Sequence, residues 1–114
     1  MNNNYIYKRI IAKIKLLLLM KDMTNEDLGD AIGWGKAAVG HWLRLERMPP
    51  NEALQKIADI MSIPREFFFK EFANNMQVYE TAELYDMTED EFYYFEAMSD
   101  YVRTIQEGYI KGGH

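Results

Sequence analysis

Hydrophobic positions recur at three- and four-residue steps through most of the chain, and polar capping residues mark where several of these stretches begin. From Tyr5 to Met20 the stripe is Ile10, Ile14 and Leu17, one face of a helix. Leu16, Leu18, Leu19 and Met20 fill most of the remaining circumference, more than one small core can cover. This helix therefore needs a second packing surface, either the C-terminal tail of the same chain or another subunit. Thr24 with Asp27 reads as a capping box that starts a second helix at Asn25. Leu28 and Ile32 share its buried face, and Gly29 between them leaves room for another helix to come close. Gly33 supplies the left-handed backbone that ends this helix, and Gly35 lets the chain turn again. From Lys36 a third helix buries Val39, Trp42 and Leu43 and turns Lys36, Ala37, Gly40, His41 and Arg44 outward.

Pro49-Pro50 stiffens the approach to a helix from about Glu52 to Met61, with Leu54, Ile57, Ala58 and Met61 inward. Pro64 starts a fifth helix whose Phe67-Phe68-Phe69 run, with Phe72, reads as core that seals the join to the tail. Asn74-Asn75 marks a boundary, after which Gln77 to Tyr85 mixes both periods and is assigned as helix. Thr88 with Glu91 forms a second capping box, with Glu89, Asp90 and Glu91 at the positive end of a helix dipole. Along that last helix Phe95, Met98, Val102, Ile105 and Tyr109 alternate steps of three and four, the seam of a two-helix packing. The seam is too short for a free coiled coil and is expected to lie on the Leu-rich first helix or on its own copy across a dimer axis. The pattern predicts an all-α chain, a five-helix domain over residues 1–73 followed by a helical extension over residues 74–114.

At 114 residues the chain holds one domain with an appendage, and no second enzyme-sized domain fits. It contains no cysteine, which removes disulfides, thiolate catalysis and cysteine-based zinc sites and suits a cytoplasmic location. The longest apolar run, Leu16 to Met20, falls well short of the roughly 20 residues that span a bilayer, so no membrane anchor is expected. Lys13 and Lys15 interrupt it, which argues against a signal peptide. Only His41 and His114 are available as histidines, and no G-x-x-x-x-G-K phosphate loop occurs, so neither a His-based triad nor a metal or nucleotide cofactor is expected. The net charge of −5 is unevenly spread. Residues 1–69 carry ten Lys/Arg against eight Asp/Glu, a net of +2, and residues 70–114 carry three against ten, a net of −7. The first part can face phosphate, whereas the acidic extension is repelled by it.

Leu28, Gly29, Ile32, Gly33, Trp34, Val39 and Trp42 together resemble the helix-turn-helix of the Cro/CI type, the lambda-repressor-like DNA-binding proteins. The likeness continues past the motif, through Pro49 and Glu52–Ala58, similar to the family's fourth helix, and Ile63–Phe68, similar to its fifth. Two departures stand out. Where the family often carries Ser-x-Trp-Glu-x-Gly, this chain has Gly40-His41-Trp42-Leu43-Arg44-Leu45, without the phosphate-contacting serine and with leucine at the helix-ending glycine. The resemblance implies that Lys36, Ala37 and His41 contact base edges in the major groove. Asn25 resembles the position where the family commonly has glutamine and is expected to bridge phosphate and the third helix; Gly35 and Gly40 let phosphate approach closely, Arg44 and Arg47 are candidates to neutralise it, and Trp34 and Trp42 are assigned to packing.

By that likeness the chain is expected to be a sequence-specific transcriptional regulator, a repressor working as a homodimer on a palindromic operator whose half-sites lie about 34 Å apart. The family serves phages, mobile elements and toxin–antitoxin loci, and the acidic extension is then either a dimer seam or a docking site for an inducer, antirepressor or toxin protein. The rival expectation, drawn from the weak basic charge, is a protein-interaction module that keeps the helix-turn-helix as scaffold.

Overall fold

The structure, a computed structural model, describes residues 4–69 and 75–108, with side chains over 6–69 and 80–108. Among the described residues there are six α-helices, one 3-10 turn and no strand. The order is α1 (Asn4–Met20), α2 (Asn25–Ile32), α3 (Lys36–Leu43), α4 (Asn51–Met61), the 3-10 turn (Arg65–Phe68), α5 (Asn75–Leu84) and α6 (Glu89–Gln106). Both expected capping boxes form. Thr24 Oγ1 accepts from the Asp27 N–H at 3.0 Å while Asp27 Oδ2 accepts from the Thr24 N–H at 2.9 Å. Thr88 and Glu91 repeat the exchange at 3.2 and 2.9 Å, and these bonds hold the Glu91 carboxyl below its ordinary pKa.

One core joins Ile10, Ile14 and Leu17 of α1, Leu28 and Ile32 of α2, Val39 and Trp42 of α3, and Leu54, Ile57, Ala58 and Met61 of α4. Ile63, Phe67 and Phe68 close it from below α4. The fifth helix expected from Pro64 is only the single 3-10 turn. Its Phe67 carbonyl, which a longer helix would use internally, accepts from the Lys13 ammonium at 2.6 Å instead. Phe67 and Phe68 are buried as expected, but Phe69 is exposed beneath the Arg65 guanidinium. Phe72 and Asn74 lie outside the described residues.

The second face of α1 is covered by α6. Ala12 and Leu16 pack with Tyr93 and Ala97, and Tyr101 reaches the Phe67 ring edge-on at 6.0 Å between centroids. The need for a second surface on α1 is thus met within the chain, although Leu19 and Met20 remain exposed. The packing face of α6 differs from the expected seam. Tyr93, Glu96, Ala97, Asp100 and Thr104 turn inward, whereas Met98, Val102 and Ile105 are exposed and Phe95 is half-buried. Tyr109 lies outside the described residues. The expectation that this seam lies on α1 therefore fails, and charge is the physical reason. The face of α1 turned to α6 carries Arg9 and Lys13. Arg9 Nε meets Glu96 Oε1 at 2.7 Å, and Lys13 Nζ meets Asp100 Oδ2 at 3.0 Å. Lys8 pairs with Glu89 further out. Residue numbers rise together on the two helices, so α1 and α6 run parallel with their register set by the ion pairs.

Lys13, Glu96 and Asp100 are almost wholly buried. Burial pushes the Lys13 ammonium below its ordinary pKa against the pull of Asp100, and it pushes the Glu96 carboxyl up against the pull of Arg9. Stranding either charge by removing its partner is strongly unfavourable.

Candidate nucleic-acid interface

The corner between α2 and α3 is built on one carbonyl. The N–H groups of Gly33, Trp34 and Gly35 each donate to the Gly29 carbonyl at 3.0 Å. Gly33 at φ 81° and Gly35 at φ 87° hold backbone that other residues rarely adopt. Gly29 admits something closer than the neighbouring helix expected from the sequence. A Cβ there would lie 2.3 Å from the Gly35 carbonyl carbon and 2.7 Å from the Lys36 nitrogen, so the corner's own backbone occupies the space. This contact sets the direction in which α3 leaves the turn.

Val39 and Trp42 anchor the inner face of α3, with Trp34 and Trp42 rings 6.4 Å apart and the Lys56 ammonium 5.2 Å above the Trp34 ring. Both tryptophans are packing residues. On the other face Lys36 and Ala37 are exposed in the first turn and His41 is half-buried one turn on. Arg44, just past the helix, and Arg47 are exposed, and Asn25 sits half-buried in the first turn of α2. Gly35 is half-buried with open space where a side chain would stand. Gly40 departs from expectation. It is buried, because the Arg44 guanidinium folds back over it, with Nη1 3.0 Å from where a Cβ would lie.

Leu45, at the position of the family's glycine, takes the glycine's backbone, with φ 62°. The Leu45 N–H donates to the Trp42 carbonyl at 3.0 Å and the Glu46 N–H to the His41 carbonyl at 2.9 Å, which closes α3 after Leu43. The same closure delivers an unforeseen carboxylate to the outer side of α3. His41 Nδ1 lies 2.7 Å from Glu46 Oε1, and Arg44 Nε lies 3.2 and 3.1 Å from the two Glu46 oxygens. The hydrogen bond from Arg44, then that from His41, lowers the Glu46 pKa to about 2, so the carboxylate is ionised near neutral pH. Its sequence signal was indirect, an acid five residues beyond His41 and directly after the helix-ending position.

The arrangement offers a short, well-anchored helix with a lysine, an alanine methyl and an imidazole on its outer side, flanked by arginines. Such a helix fits the major groove, where lysine donates to guanine O6 and N7 and a methyl group meets thymine. Among the described residues no group of side chains is arranged to hold a metal ion, and no helix is long and apolar enough to cross a membrane. Residues 14–68, from within α1 to the end of the 3-10 turn, match the family model for the helix-turn-helix. No curated protein and no solved structure matches the chain.

Proposed function

We propose that the chain, whose residues 14–68 match the Cro/CI-like helix-turn-helix family, is a DNA-binding transcription regulator, a repressor acting as a homodimer on a palindromic operator. The observation that carries this reading is the exposure of Lys36 and Ala37 on the first turn of a helix whose opposite side is fixed in the core. In this reading Lys36, Ala37 and His41 meet base edges, and Asn25, Gly35 and Arg47 lie along the phosphates. Gly40 is dropped from the backbone contacts because Arg44 covers it. One such helix spans only a few base pairs, so two copies supply the length and affinity of an operator. The exposed Met98, Val102 and Ile105 on α6 are the apolar surface through which a second copy would pair, the dimer half of what the seam pattern implied.

Repression follows from occupancy: a dimer seated across a promoter excludes polymerase without chemistry. The test is an in vitro selection of bound duplexes followed by anisotropy titration at several salt concentrations. The expected result is a palindromic consensus bound by two chains, with affinity falling steeply as salt rises. Lys36→Ala is expected to cost about 1–3 kcal/mol and to relax preference at one base position per half-site. Equal, weak binding to every sequence would transfer the function to protein contacts.

A further inference from the structure

Among the described residues, four helices end on a non-glycine residue in left-handed backbone: Asp22 (φ 53°), Leu45 (φ 62°), Ser62 (φ 57°) and Asp86 (φ 51°). In each case the following N–H donates to the carbonyl five residues back, Met23 to Leu18, Glu46 to His41, Ile63 to Ala58 and Met87 to Ala82, at 2.9 to 3.0 Å. This closure brings the side chain after the left-handed residue towards the one five before it, a place commonly filled by an apolar pair. Met23 with Leu18, Ile63 with Ala58 and Met87 with Ala82 are such pairs. At the end of α3 the pair is instead a carboxylate and an imidazole, in contact at 2.7 Å. A negative charge at a helix C-terminus is disfavoured by the dipole, and two cationic or proton-donating side chains, Arg44 and His41, hold it there.

The geometry points to Glu46 as a positioning residue of the DNA-reading surface, one that fixes which edge His41 shows to the groove and keeps Arg44 from phosphate. The inference rests on the reading of α3 given above. An ionised carboxylate only accepts hydrogen bonds, so the bond to Glu46 requires the hydrogen on Nδ1 of His41. In the neutral ring Nε2 is then an acceptor, suited to the exocyclic amine of adenine or cytosine rather than to the oxygens of guanine or thymine. Arg44, with Nε bonded to both Glu46 oxygens, is withheld from the counterion-releasing contacts that bind any sequence. Glu46 thus subtracts from non-specific affinity and adds to discrimination. Glu46 and Arg44 are solvent-exposed and His41 is half-buried, so removing the carboxylate changes stability little and leaves the fold available for the test.

Two variants separate the two roles. Glu46→Gln keeps an acceptor for Nδ1–H but no charge for Arg44; Glu46→Ala keeps neither. Ring ¹⁵N shifts of His41 are measured on the DNA-free protein at about pH 8. Salt slope and base preference are measured on the duplex selected with the wild type. For Glu46→Gln we expect the Nδ1–H form and the preference retained, with the log–log salt slope steeper by about 1. For Glu46→Ala we expect the same steeper slope, a shift of the ring towards the Nε2–H form, and a loss of preference of about 5-fold at the base facing His41. A Glu46→Ala protein whose ring shifts, slope and preference all match the wild type overturns the assignment. Failure of the underlying DNA reading is recognised separately, by a wild type that selects no duplex; the positioning role then falls with it, whatever the ring spectra show.

Discussion

Lys13→Met is expected to remove about 3–5 kcal/mol of stability, because it takes the Lys13 ammonium from the buried Asp100 carboxylate. That is a large share of the roughly 5–15 kcal/mol that holds a domain of ordinary size, and it corresponds to a fall in Tm of roughly 10–20 °C. The same change takes the donor from the Phe67 carbonyl, so the 3-10 turn loosens as well. Removing both charges, as Lys13→Met with Asp100→Val, is expected to restore most of the loss, since an apolar pair in a buried site carries no desolvation cost. Calorimetry of the two variants beside the wild type decides the matter. A single variant within about 1 kcal/mol of the wild type would mean that α6 does not sit on α1 as described.

Gly29→Ala carries the second large effect, and it joins stability to function. The added methyl would stand 2.3 Å from one backbone atom of Gly35 and 2.4 Å from another, and backbone cannot swing aside as a side chain can. The expected cost is about 3 kcal/mol or more, at the upper end of overpacking, with α3 displaced relative to α2. Whatever fraction remains folded is expected to lose selected-duplex binding, because the outward side chains of α3 are aimed by that corner. Gly40→Ala is the control. Its methyl meets the end of the flexible Arg44 side chain at 3.0 Å, and alanine favours a helix interior over glycine by about 0.5–1 kcal/mol, so the domain should stay folded. Circular dichroism melts and anisotropy on the two proteins separate the outcomes; a folded, DNA-binding Gly29→Ala protein would contradict the described corner.

What the chain discloses before folding is mostly what local chemistry controls. Both capping boxes, the left-handed Gly33 and the two-faced apolar α1 could be read directly, because each depends on residues within one or two turns of one another. The orientation of α6 could not. Hydrophobicity alone favours the face of Met98, Val102 and Ile105, yet the buried face is the one with Glu96 and Asp100, chosen by Arg9 and Lys13 more than 80 positions away. A period-based reading scores each helix by itself and cannot see a cation on another. Glu46 escaped for a related reason. Its place beside His41 depends on Leu45 accepting a backbone that leucine normally avoids, and the sequence pattern offered only the absent glycine as a sign. Helix geometry alone turns Gly40 outward, but the Arg44 side chain folds over it.

α6 packs on α1, and α1 belongs to the core that anchors α3, so damage to the α1–α6 ion pairs should be felt at α3. The acid that reaches the outer side of α3 comes from Glu46, just past that helix.

The most direct measurement is a map of backbone amide shifts as the selected duplex is added to the isotope-labelled protein. The account predicts the largest changes at Lys36, Ala37 and His41, with smaller ones at Asn25 and Arg47 and little along the buried side of α6. Changes confined to α6, with Lys36 to Arg44 unmoved at saturation, would contradict it.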